Sequence, residues 1–159
     1  MAATAHPFVV GPGDGTPVSL PIGGSGTIMA DGARTDGALV IMELVVPSMQ
    51  GPGLHIHSRE DEVWYVLEGE FRFRAGNAMF SAAEGGLAFG PRDVPHTFQN
   101  VGHTPGRLLV VSAPAGMEEF FQNYTHLLPD PADQAALAEL GHAVGVSFVG
   151  PPLAVSDPL

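Results

Sequence analysis

His55 and His57 stand one residue apart in the stretch GLHIHSREDEVWYVLEG, and Glu62 follows five positions after His57. In an extended strand alternate side chains share a face, so the two imidazoles can converge on one point. Two imidazoles and a carboxylate form a hard-to-borderline donor set, suited to Fe, Mn, Co, Ni, Cu or Zn. A second stretch, GGLAFGPRDVPHTFQN, supplies His96, with Asn100 four positions later. The two stretches together predict one mononuclear site made by three histidines and one glutamate. Glu62 is preferred over its acidic neighbours Glu60 and Asp61, because only Glu62 shares a strand face with Trp64 and Val66. Glu60 and Asp61 are expected in solvent, in the turn before that strand. His6, His103, His126 and His142 have no such company and are read as structural or surface residues.

These two stretches resemble the paired motifs of the cupin superfamily. The first motif runs glycine, five residues, His-X-His, three or four residues, glutamate, six residues, glycine. It is carried here by His55, His57, Glu62 and Gly69. The second, ending in a proline, a glycine, a histidine and an asparagine, is carried by Gly85, Pro91, His96 and Asn100. Two positions depart from it: Met49 stands where the first motif opens on glycine, and Asp93 where the second has its Pro-X-Gly glycine. Neither is a ligand position. The resemblance implies an all-β fold, a jelly-roll barrel of the double-stranded β-helix type, and one divalent transition ion per chain.

The Glu62 spacing together with WYVLEGE is most similar to small single-domain quercetin-dioxygenase-like cupins. That similarity implies a metal-dependent dioxygenase acting on an enolic or phenolic, flavonol-like or polyketide-like small molecule, with dioxygen as co-substrate. Glu62 would then be both ligand and catalytic base. Two other readings stay open: an isomerase, cyclase or decarboxylase using the ion as a Lewis acid without oxygen, and a non-catalytic binding cupin. Strand alternation places Trp64 and Val66 on the face of Glu62, and Phe98 and Asn100 on the face of His96. Phe71 and Phe73 alternate with Arg72 and Arg74. These six residues are the candidate substrate pocket, an apolar, aromatic wall around one ion.

The rest of the chain must position those residues. At 159 residues it is expected to form a single domain, 1–159, with a barrel core over about 38–113 and a helical extension over about 115–142. Twenty-one glycines and fifteen prolines, spread along the chain, suit many short strands joined by tight turns. There is no cysteine, hence no disulfide framework and no thiol nucleophile. A net charge of −11 repels nucleic acid and anionic membrane surfaces. With no apolar run of spanning length and no leader-like start, a soluble cytoplasmic protein is expected.

Element by element, the Gly/Pro-rich start to about residue 25 is expected to wrap the barrel edge. The run ALVIMELVV at 38–46 reads as a strand buried on both faces or covered by a partner, and a homodimer is expected. Residues 62–67 and 70–74 flank Glu68-Gly69, a hairpin signal. Strands are predicted at 87–89, 97–101 and 107–112, with Pro114 closing the region. Met117, Phe120, Phe121 and Tyr124 fall on one helical stripe. A second helix is predicted to start at Asp130-Pro131, as N-cap and first position, and to stop at Gly141, before an extended segment at 144–152.

Overall fold

The computed structural model describes residues 5–130 and 132–159. Eleven strands and four helices follow in order: β1 (Thr16–Ser19), β2 (Ser25–Ala30), α1 (Gly32–Thr35), β3 (Val40–Val46), β4 (Gly53–His57), β5 (Asp61–Glu68), β6 (Glu70–Ala75), β7 (Ala78–Ala83), β8 (Leu87–Gly90), β9 (His96–Asn100), β10 (Gly106–Ala113), α2 (Glu118–Leu127), α3 (Gln134–Val144), β11 (Val146–Pro152) and α4 (Leu153–Ser156). The strands form two antiparallel sheets, β1-β2-β3-β10-β5-β8 and β11-β4-β9-β6-β7. Their facing sides build one core, in which Met42, Leu44, Trp64, Val66, Phe71, Phe73, Phe98 and Leu108 are all buried. Each such large apolar side chain contributes roughly 1.5–3 kcal/mol by leaving water.

Alternation was a sound guide to faces. In β5, Glu62, Trp64 and Val66 are buried while Tyr65 is exposed and Val63 and Leu67 are half-buried. In β3 the run is not buried on both faces. Val40, Met42, Leu44 and Val46 point to the core, and Ile41, Glu43 and Val45 are half-buried on the outside. Both of its edges are taken, by β2 and β10, so β3 is an interior strand whose β-branched outer residues only mimic full burial.

The Glu68-Gly69 hairpin does not form. β5 pairs with β10 and β8, while β6 pairs with β7 and β9 in the other sheet. The chain turns a corner at Gly69, whose φ of 93° suits glycine and whose Cβ position would sit 3.3 Å from Gly106 Cα. The true hairpin comes next, at Gly76-Asn77, where Ala75 pairs Ala78.

The sheets extend past 38–113 in both directions. The N-terminal β1–β2 hairpin forms the edge of the six-stranded sheet, and β11 forms the edge of the other after two helices have intervened. In α2 the expected stripe buries Met117, Phe120 and Tyr124. The α3 boundaries differ from expectation at both ends. Its N-cap is Asp133, whose Oδ1 accepts from the backbone N–H of Ala135 and Ala136 at 3.1 and 3.0 Å. Asp130 instead accepts from Ala132 N–H in a local turn, and Pro131 lies outside the described residues. Two backbone donors outcompete one as a helix start. At the far end the helix runs through Gly141 and stops at Gly145, in the left-handed conformation at φ 82°. Gly141 is there for closeness: a Cβ would lie 2.9 Å from Val146 O.

Candidate metal centre

The three histidines come from one sheet and the glutamate from the other. His55 and His57 lie on β4, and His55 sits directly across from His96 on β9. Glu62 lies on β5, opposite Gly90 and Ser112. All four side chains are buried, and one ligating atom from each lies within 4.8 Å of the others. Glu62 Oε2 is 3.4 Å from His57 Nε2 and 3.3 Å from His96 Nε2. Neighbouring ligands of a divalent ion held at about 2.1 Å are about 3 Å apart, so the spacing needs only a small contraction.

Hydrogen bonding argues for an ion independently of distance. Buried side-chain polar atoms are nearly always satisfied. Among the described residues, the buried side-chain atoms without a hydrogen-bond partner are His57 Nδ1 and Nε2, both oxygens of Glu60, Glu62 Oε2, Trp64 Nε1 and both nitrogens of His96. They gather in this one place. A cation would satisfy three of them, His57 Nε2, His96 Nε2 and Glu62 Oε2. His55 donates Nδ1–H to the Gly53 carbonyl at 2.8 Å, since a carbonyl can only accept. Its Nε2 is thereby left as a lone-pair donor.

The electrostatics fit the same purpose. Burial, reinforced by His57 and His96, pushes His55 down to about 3, so it is neutral at physiological pH. Burial alone would raise the Glu62 pKa, but the imidazoles of His57, His96 and His55 outweigh it and keep the carboxyl below its ordinary value. Burial disfavours charge on His57 too, but Glu62 and Glu60 overcome that and raise its pKa. An ionised carboxylate beside the neutral imidazole of His55 is what a divalent cation requires.

The loops that deliver these residues are tied down. The segment before His96 is held by Arg92, whose backbone N–H and guanidinium grip Asp61 in a fork at 2.9–3.1 Å. Asp61 is therefore a partly exposed, paired residue at the mouth of β5 and, as expected, no ligand. Asp93 donates its N–H to the His57 carbonyl at 2.8 Å. Both motif departures fall on left-handed backbone, Met49 and Asp93 each at φ 63°. The turns demanded by the pattern are thus kept without their glycines. Gly51 does have to be glycine, since a Cβ there would fall 1.9 Å from Phe98 O.

A cavity of about 290 Å³ opens beside the site. His55 and Glu62 reach its wall; His57 and His96 are not among its lining residues. The wall is otherwise apolar, from Leu44 and Phe98 in the sheets, Phe120 and Phe121 of α2, Leu137 of α3 and Phe148 of β11. Gln50 and Gln134 are its amides, and among the described residues no lysine or arginine lines it. Of the residues proposed from alternation, Phe98 lines this cavity. Trp64, Val66, Phe71 and Phe73 point inward as expected but pack into the core, with Trp64 5.7 Å from Phe73 and Phe71 6.2 Å from Phe98 between ring centres. Asn100 is fully buried and donates Nδ2–H to the carbonyls of Val46, Pro47 and Thr104. It pins the loop before β4 and does not line the cavity.

Sequence reasoning missed two things. The C-terminal elements supply much of the cavity wall, and nothing in the predicted helices or the extended segment at 144–152 signalled a place beside the site. Glu60, expected in solvent, is 1 % exposed, with Oε1 3.7 Å from His57 Nδ1. Nothing in the run Glu60-Asp61-Glu62 distinguishes a buried first carboxylate from a solvated one. His6, His103, His126 and His142 are exposed, as expected, and take no part in the cluster.

Two facing antiparallel sheets with a buried three-histidine, one-glutamate cluster between them define a β-sandwich protein with a candidate mononuclear metal site. Residues 41–112, which hold all four cluster residues, match the model of the cupin domain family. An uncharacterized protein of Methanocaldococcus jannaschii is 31% identical over 74 residues, covering 46% of this chain and 59% of that protein. The match thus spans under two thirds of that relative's length. Among solved structures, an RmlC-like cupin from Shewanella frigidimarina shares the fold at 21% identity and TM-score 0.60, over 72% of this chain and 96% of that one. A Thermotoga maritima protein described as a predicted oxalate decarboxylase is 25% identical, with TM-score 0.59, over 67% and 99%. Among the described residues no helix is long and apolar enough to cross a membrane.

Proposed function

We propose that this protein is a metal-dependent dioxygenase, of the quercetin-dioxygenase-like kind, acting on a small enolic or phenolic compound. The observation that carries the reading is a buried His55-His57-Glu62-His96 quartet meeting an apolar cavity without cationic residues, reached through Glu62 and His55. A divalent ion held by the quartet would supply a Lewis acid with coordination positions to spare, suited to a hydroxyl-bearing substrate and dioxygen. The residues of the chain do the rest. Glu62, kept ionised by its imidazole neighbours, accepts the hydroxyl proton of the substrate. Phe98, Phe120, Phe121 and Phe148 hold the ring system and exclude water, and the amides of Gln50 and Gln134 offer hydrogen bonds to its carbonyl or hydroxyl groups. At about 290 Å³ the cavity is at the small end for ligand sites, which favours compact compounds.

Oxygen-electrode screening of flavonols and other enols tests this, on protein purified without a histidine tag and analysed for its metal. Metal-dependent oxygen uptake is expected. Glu62→Gln should keep much of its metal while turnover falls roughly 10²–10⁴-fold, the usual contribution of a positioned base. Turnover without oxygen uptake would move the assignment to an isomerase, cyclase or decarboxylase. The Thermotoga neighbour favours that alternative, whereas the cation-free wall disfavours a dianion such as oxalate. We also propose a homodimer, covering the outer row Phe89, Val63, Val111 and Ile41 that crosses four paired strands, with the N-terminal segment contributing. Light scattering at micromolar concentration should give twice the chain mass, and a monomer mass refutes it.

A further inference from the structure

Glu60 sits in the bend between β4 and β5 and is 1 % exposed, yet neither carboxylate oxygen has a hydrogen-bond partner. Burying an ionisable group without partners is expensive, so its place needs a reason. A structural glutamate would accept backbone N–H groups, as buried Glu118 does from Gly32 and Gly116 at 2.8 and 2.7 Å. Glu60 faces His57 Nδ1 at 3.7 Å, on the side of the ring away from Glu62, and that nitrogen is unsatisfied as well. The cationic head of nearby Arg92 is taken by Asp61. The three imidazoles are thus backed differently: His55 by a carbonyl, His57 by a carboxylate, and His96 Nδ1 by no hydrogen-bond partner among the described residues.

We propose that Glu60 is a positioning residue for the metal centre: it accepts the Nδ1–H of His57, aims Nε2 at the ion, and with Glu62 balances a divalent charge. Resting on the metal-site reading of the quartet, this adds that the loaded centre is neutral overall and favours uncharged ligands over anions. A carboxylate behind a ligating imidazole fixes its tautomer and orientation and raises its basicity. Nothing in the family motif marks the position. The inference comes from burial and the two facing, unsatisfied groups.

The test compares wild type and Glu60→Gln, using Co(II) as probe ion and azide as probe anion. Co(II) affinity should fall roughly 10–100-fold in the variant, as for other carboxylates that back metal ligands. Azide binding to the cobalt-loaded protein should move the other way and tighten roughly tenfold, because one buried negative charge is gone. Unchanged Co(II) affinity overturns the proposal, and so does a parallel loss of cobalt and azide affinity, which would mark a packing role. Should the variant fail to fold, proton NMR of the cobalt-loaded wild type with ¹⁵N-labelled histidine decides. His57 Nδ1 should carry a slowly exchanging proton, and an unprotonated Nδ1 overturns the assignment. A wild-type chain that binds no Co(II) would instead refute the metal site itself.

Discussion

A cation delivered to this site should stabilise the fold by an amount that can be set in advance. His57 Nε2, His96 Nε2 and Glu62 Oε2 are buried without hydrogen-bond partners in the chain itself, each at a cost of about 1–3 kcal/mol. An ion that binds the folded chain and satisfies all three adds about 2.7 kcal/mol at a concentration 100 times its dissociation constant. For a domain of this length, each kcal/mol raises Tm by about 2–4 °C. Chelator-treated protein titrated with Co(II) should therefore melt roughly 5–10 °C higher, by scanning fluorimetry or calorimetry. His96→Ala removes a ligand from the middle of the quartet, and its shift should fall below about 2 °C, measured against its own metal-free baseline. Glu62→Gln keeps an oxygen in place and should retain part of the shift. The reasoning is refuted if wild type shows no cobalt-dependent shift. It is also refuted if His96→Ala shifts as much as wild type, since the ion would then bind elsewhere, at the exposed His6, His103, His126 or His142 for instance.

Metal affinity should depend on pH in a definite direction. Glu62 and Glu60 outweigh burial and raise the His57 pKa, and an ion must displace that proton, so affinity should weaken about tenfold per unit as pH falls below that pKa and level off above it; titrations at several pH values check this, and a flat profile refutes it. Replacing Arg72 by Met should lower Tm by roughly 5–15 °C, or about 2–4 kcal/mol, because its guanidinium ties Gln99 on β9 to the Leu153 carbonyl and to Asp157 in the C-terminal segment. Asp93→Gly should leave stability unchanged or slightly improved, whereas Asp93→Val should cost about 1–2 kcal/mol in chemical denaturation, since the position holds a left-handed backbone at φ 63°.

The His55-His57-Glu62-His96 cluster was legible in the sequence because its signals are local. One intervening residue puts His55 and His57 on one strand face, and the same period of two puts Glu62, Trp64 and Val66 together. The α2 stripe of Met117, Phe120 and Tyr124 was legible for the corresponding reason, at a helical period. Alternation reports the face of a strand but not the depth along it. For that reason Phe71, Phe73 and Trp64 were correctly turned inward yet lie in the packed core, while the cavity wall beside Glu62 is completed by Phe120, Phe121, Leu137 and Phe148 from elements far along the chain. The corner at Gly69 was misread as a hairpin because a turn residue between two strands looks the same whether they pair or part. Only the pairing of β5 with β10 and β8, a long-range choice made by the whole core, separates the cases. Glu60 was misplaced for a related reason: a charge shows in sequence, but burial beside His57 exists only once β4 and β5 are brought together across two sheets. Spacing along single strands determined which side chains could meet one ion; the packing of the two sheets and the C-terminal helices decided what surrounds it.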